Sequence, residues 1–185
     1  MEHAVSSPGY AQLTRWFVEN GGFIHPGVEM FEDAENGVHF RARRLLPESS
    51  MEDFVVCACP VSLTLSHLNV ASREEREDVV PVHAVTGSIA SQLRGHLPLN
   101  AITHFLLAEQ RLLGQQSFWQ PYVSCLPKEG QLGTPLYFSQ DDLVWLHGTN
   151  LHAAVDHRRA MWEQEWKTGC DVLRKGGSDV TAFTW

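Results

Sequence analysis

Near residue 71 the hydrophobic pattern of this chain changes its period, and that change decides what the chain can fold into. Between Phe23 and Leu65 apolar residues come in short alternations and runs. Val38, Phe40 and Ala42 alternate with polar residues, as on a half-buried strand. Phe54–Cys59 is a fuller apolar run stopped by Pro60, and Ser62–Leu65 is a short further strand candidate. The charge-dense stretch Ala71–Asp78 is the break, and beyond it the spacing is helical. Strands gathered before helices, rather than alternating with them, predict an α+β fold: a small β-rich portion followed by a mainly helical one.

Start and stop signals set the helices. Ser7-Pro8 caps and opens a first helix with Leu13, Trp16 and Phe17 on one face, and Gly21-Gly22 ends it. Asn100 is placed to cap a helix carrying Ala101, Phe105, Ala108 and Leu112, closed by Gly114. Ser139 with Asp142 resembles a capping box for a short helix carrying Leu143 and Leu146. Leu151, Val155, Trp162, Trp166 and Leu173 line one face of a long helix ending at Gly176-Gly177. The chain divides into an N-terminal helix over 1–19, a β-rich part over 20–70 and a helical part over 71–185.

Composition excludes several function classes. At 185 residues, 43% hydrophobic and 19% charged, the chain is long and apolar enough to bury a core. A formal net charge of −8 argues against a general nucleic-acid binder. No apolar run is long enough for a membrane span, so no membrane role is expected. Four cysteines without a signal-peptide pattern favour an intracellular setting, cytoplasmic or nuclear. No C-x-x-C pair and no H-E-x-x-H occurs, so no metal is expected. His147, His152 and His157, five apart, rotate around a helix and read as exposed or capping residues. No G-x-S-x-G and no phosphate loop is present.

Three groups of residues, in order, carry a family resemblance. The first is Glu19-Asn20-Gly21-Gly22-Phe23-Ile24-His25-Pro26, and the second Asn36-Gly37-Val38-His39-Phe40-Arg41-Ala42. The third is Ser117-Phe118-Trp119-Gln120-Pro121-Tyr122, with Leu126-Pro127 and Thr134-Pro135-Leu136-Tyr137-Phe138 after it. Together they resemble a SET-domain protein methyltransferase of the branch typified by the Rubisco large-subunit and actin-histidine enzymes. In that branch a helical insert interrupts the SET domain. The resemblance covers roughly residues 10–185 and implies that 20–70 is the N-terminal part of the SET domain and 71–185 the insert.

The resemblance also implies a cofactor, S-adenosyl-L-methionine, held through main-chain groups of a glycine-containing turn. Carried over residue by residue, the contacts are Asn36, Gly37 and Val38, while His39 stands where the family usually has a second glycine. The residues by themselves also read as a plain hairpin turn, since Asn-Gly is a strong turn signal. Phe118, Trp119, Pro121 and Tyr122 read as a packed helix-to-loop junction rather than a ligand-stacking surface. The implied activity is methyl transfer to a side chain of a protein substrate, lysine first. No catalytic residue is assigned. The family's Asn-His pair has no counterpart, and Tyr10, Tyr122 and Tyr137 match non-catalytic positions. The C-terminal SET strands are expected to be absent and the chain to be a truncated form, inactive alone. The competing class is a non-catalytic protein-interaction module derived from a SET protein.

Overall fold

The computed structural model of the chain describes residues 8–33, 35, 37–43, 55–72, 74–76, 82–128 and 130–184. Its strands are β1 (Phe23–Ile24), β2 (Val28–Asp33), β3 (Gly37–Ala42) and β4 (Cys57–Ala58), and its helices are α1 (Pro8–Glu19), α2 (Leu99–Leu113), α3 (Gln120–Val123), α4 (Gln140–Leu143) and α5 (Asn150–Lys175). The class is α+β. The chain forms two compact units: Met1–Thr64 with Ser72–His83 and Gln115–Cys125, and Leu65–Ala71 with Ala84–Gly114 and Leu126–Trp185.

In the first unit α1 starts with Pro8 and stops where the glycines predict. Gly21 has φ 88°. Gly21 N–H donates to the Val18 carbonyl at 3.1 Å and Gly22 N–H to the Phe17 carbonyl at 2.8 Å. This bond pair is a Schellman closure, which needs a residue free to enter the left-handed region. Ser7, the expected cap, lies outside the described residues. β2 and β3 form an antiparallel hairpin, and β1 pairs antiparallel with β4. The apolar run before Pro60 yields only the two residues of β4, and Val55–Cys59 is exposed. Phe54 lies outside the described residues. The candidate strand at Ser62–Leu65 is instead a 3-10 turn, Val61–Leu63, with Pro60 extended just before it. Pro60 fixes its φ and its carbonyl accepts from Leu63 N–H at 3.0 Å, so the chain turns instead of pairing.

The aromatic segment packs as a junction. Trp119 is 1% exposed, and its indole Nε1–H donates to the Leu63 carbonyl at 2.9 Å. Phe118 meets Trp16 of α1 edge to face at 5.3 Å. His83 stacks on Phe118 at 3.9 Å and 5°, with Trp119 edge-on at 5.2 Å. Desolvation in this stack pushes the His83 pKa below its ordinary value. The unfolded chain therefore takes up the proton first as pH falls. Stability is fully present above the unfolded histidine value of about 6.5 and is lost as pH drops below it. Thermal melting between neutral and mildly acidic pH should show this loss, and His83→Gln should make the dependence shallower. An unchanged slope would remove His83 from the account.

In the second unit the core joins the 3-10 segment Ile89–Leu93, α2, α5 and Val180. Ile102 and Leu106 of α2 pack with Ala90, Leu93, Cys170 and Leu173. Glu109 of α2 clamps the 3-10 segment: it accepts from the Ser88 hydroxyl and, at 3.0 Å, from Ile89 N–H. α5 closes as α1 does, with Gly177 at φ 82° and Ser178 N–H donating to the Leu173 carbonyl at 2.9 Å. Ser139 caps α4 by accepting from Asp142 N–H at 3.2 Å, as the sequence predicts. His147 and His157 are exposed, and His152 lies 3.5 Å from Asp156 one turn on. Among the described residues no helix is long and apolar enough to cross a membrane.

Candidate cofactor site

The β2–β3 hairpin sets the geometry of the turn. Its register pairs Val28 with Ala42, Phe31 with His39 and Asp33 with Gly37, so the chain reverses direction between Asp33 and Gly37. A loop of this length commonly closes with a glycine in the left-handed region on its far side. Gly37 occupies that place with φ 64°. A Cβ built there would meet no atom within 4 Å. The requirement for glycine is thus one of backbone conformation, and the space beside it is open. On the near side, Glu35 N–H donates to Asp33 Oδ1 at 3.0 Å, an Asx-type bond that helps fix the loop.

Strand alternation sorts the side chains. Glu29, Phe31 and Asp33 of β2 share one face with Gly37, His39 and Arg41 of β3, and Val38 points to the other. His39 Nδ1 lies 3.1 Å from the Gly37 carbonyl and Nε2 3.8 Å from Asp33 Oδ2. The ring of His39 also meets Phe31 edge-on at 5.6 Å. Arg41 lies over the opposite pole of that system, its Cζ 3.6 Å from the Phe31 centroid, and donates to Glu29 at 2.7 Å. At the base of the hairpin, Gly27 N–H donates to His25 Nδ1 at 2.9 Å, and the Gly27 carbonyl accepts from Arg43 N–H at 2.8 Å.

Of the three residues singled out from the sequence, Gly37 and Val38 open β3, one exposed and one half-buried. Asn36 lies outside the described residues. His39, which the resemblance sets in the family's second-glycine place, lies against the Gly37 carbonyl at 3.1 Å and Asp33 at 3.8 Å and braces the turn. Asp33 and Phe31 escaped the sequence reading. The signal was there: an Asn-Gly turn with a period of two sets Asp33 and Phe31 across from Gly37 and His39. The surface suits a ligand held by main-chain groups beside an exposed, Cβ-free turn, flanked by one carboxylate and one imidazole. Among the described residues it shows no nucleophile beside a base.

The cysteines form no comparable site. Cys57 and Cys59 are exposed, yet neighbouring atoms desolvate the Cys59 sulfur in part; that desolvation, and next the neighbouring Cys57, push its thiol above the usual pKa. Burial also raises the thiols of Cys125 and Cys170. Among the described residues no group of three or more His, Cys, Asp or Glu side chains is arranged to hold a metal ion.

Comparison of the sequence with known proteins gives its relatives. The chain is 25% identical to the ribosomal lysine N-methyltransferase of Schizosaccharomyces pombe over 169 residues, 91% of this chain and 28% of that protein. It is 32% identical to the actin-histidine N-methyltransferase of Dasypus novemcinctus over 142 residues, 76% of this chain and 21% of that protein. The human actin-histidine N-methyltransferase matches at 31% over 145 residues, 76% of this chain and 20% of that protein. No protein-family model matches the chain. The relatives are protein methyltransferases. The chain is homologous to the SET-domain methyltransferases of the Rubisco large-subunit and actin-histidine branch, as its motifs indicate. It spans 20–28% of the length of these curated relatives.

Proposed function

We propose that residues 20–70 are the N-terminal part of a SET domain, 71–185 its helical insert and 1–19 a preceding helix. The whole protein then transfers a methyl group from S-adenosyl-L-methionine to a side-chain nitrogen of a protein, lysine before histidine. The observation that supports this reading is the coincidence of two things. The similarity to protein methyltransferases runs over three quarters or more of the chain, and Gly37, which the motif resemblance aligns with the family's cofactor turn, is a left-handed glycine in an exposed turn.

The cofactor, when bound, supplies an electrophilic methyl group on a sulfonium. The chain's part is to bind and orient it. Asn36, Gly37 and Val38 offer main-chain donors and acceptors, and the missing Cβ of Gly37 lets a ligand approach the backbone closely. Asp33 lies on the same face and adds a carboxylate acceptor at the edge of the turn. His39 braces the loop through the Gly37 carbonyl, giving a conformation that the family commonly secures with glycine. Holding the ligand in one pose is where most of the rate advantage of such a transfer originates.

Chemical-shift mapping with S-adenosyl-L-methionine tests the assignment. Perturbations centred on 36–38 are expected, and perturbations that leave those residues untouched would sink it. Gly37→Val should weaken binding by about tenfold or more. It should also destabilise the hairpin by about 1–2 kcal/mol, because a residue with a Cβ is strained at positive φ. Gly37→Asn, which tolerates that φ, should keep the stability and still lose affinity. Loss of stability without loss of affinity in Gly37→Val would make the turn merely structural.

A further inference from the structure

The face of the β2–β3 hairpin that carries Gly37 holds a continuous chain of side-chain contacts. Its register sets Glu29 across from Arg41, Phe31 across from His39 and Asp33 across from Gly37. Away from the turn, Arg41 donates through Nε and Nη2 to Glu29 Oε1, at 3.2 and 2.7 Å. Glu29 Oε2 also lies 3.7 Å from Arg43 Nε, so one carboxylate spans two guanidinium groups. The Arg41 guanidinium leans diagonally onto the next pair, its Cζ 3.6 Å from the Phe31 centroid. Phe31 in turn meets the His39 ring edge-on at 5.6 Å and 72°, and His39 Nδ1 lies 3.1 Å from the Gly37 carbonyl. Two rings thus connect Arg41 to a backbone atom of the turn, four residues back along β3.

Among the described strands, β2 and β3 pair only with each other. A two-stranded sheet is marginal by itself in water, so its cross-strand contacts decide how well its conformation is held. Exposed ion pairs contribute little as a rule. Arg41 differs because its planar group is fixed by two contacts at once, a carboxylate at its edge and an aromatic face beneath it. Phe31 and His39 are half-buried, and groups in direct contact respond to substitution together rather than independently.

We propose that Arg41 is a positioning residue for the turn at Gly37, acting through Phe31 and His39. Its guanidinium fixes the Phe31 ring, that ring seats the imidazole, and the imidazole holds the Gly37 carbonyl. No contact between Arg41 and a ligand is required. Where the turn binds S-adenosyl-L-methionine, Arg41 sets the affinity from a distance. That consequence rests on the cofactor reading; the relay to Gly37 does not.

Two measurements on the whole chain test the relay. The first uses no ligand and follows the nuclear magnetic resonance signals of the Gly37 amide and the His39 ring at constant pH. Arg41→Lys keeps the charge but loses the flat stack on Phe31, and it should move both signals. In a Phe31→Leu background the same substitution should leave the Gly37 signal still. Unmoved signals in the first variant, or an equal shift with the Phe31 ring gone, would overturn the proposal. The second measurement is calorimetric titration with S-adenosyl-L-methionine. Arg41→Lys and His39→Gln should each weaken binding about threefold, and the double variant about threefold rather than about ninefold, because both break one chain. A residue that only stabilised the hairpin would lower the melting temperature and give losses that multiply, which would also overturn the proposal. A wild-type chain that shows the relay but binds no cofactor would sink the cofactor reading and leave the role of Arg41 standing.

Discussion

Replacing Trp119 with alanine is expected to lower the stability of the chain by about 3–5 kcal/mol. This is a large share of what holds most domains folded. The side chain is 1% exposed and is the largest of those fully buried. Truncation removes its apolar area and leaves a void beside Phe118, whose ring sits 5.2 Å away. It also strips the Leu63 carbonyl of the indole donor at 2.9 Å. Trp119→Phe separates the two contributions: the ring area is largely kept and the donor is lost, for about 1–3 kcal/mol. Denaturant titration of both variants measures the difference. If Trp119→Ala cost no more than Trp119→Phe, packing would not be what this residue supplies.

The same tryptophan shows what was legible in the sequence. A cluster of large aromatics next to a helix stop reads as packing area, and that is how Phe118 and Trp119 serve. The partners do not show in the sequence, because Leu63 and His83 are brought there by tertiary contact. Caps and stops were legible for a different reason: they are local. Gly21, Gly114, Ser139 and Gly177 each satisfy backbone groups within a few residues of themselves. The second helix was read through Ala101, Phe105, Ala108 and Leu112; Ala101 and Phe105 are buried, at 1% and 5% exposed, but so are Ile102 and Leu106, at 1% and 0%, which that reading left out. Two apolar stripes lie side by side on α2, and both reach the core in its N-terminal half, so a reading of one stripe names only part of what is buried. The first residue also moved: Pro98 precedes the helix, which begins at Leu99 rather than after Asn100. In the β-rich part, Val55–Cys59 has a strand's composition but stays exposed, since only β1 pairs with it among the described strands. Of the candidate site, the glycine turn was legible and its brace was not, because the contact between His39 and Asp33 exists only through register.

Gly169 provides a prediction whose sign depends on tertiary structure. In an exposed helix interior, Gly→Ala gains about 1 kcal/mol, because glycine is the more flexible residue when unfolded. Here the opposite is expected. Gly169 is buried on α5, and a Cβ built on it would overlap the ring of Phe105 at Cζ and come within 3.1 Å of Leu97 Cδ1. Phe105 has little room to yield, being 5% exposed and stacked on Phe183 at 5.9 Å. The overpacking term of about 1–3 kcal/mol outweighs the helix gain, so Gly169→Ala should be a net loss and Gly169→Val a larger one. Phe105→Leu is destabilising alone but removes the atoms that collide. In the double variant Gly169→Ala should therefore recover its stabilising sign, and a double-mutant cycle should return a coupling of about 0.5–3 kcal/mol. Additive losses in that cycle, or a stabilised single Gly169→Ala, would mean that α2 and α5 can separate enough to admit a methyl group.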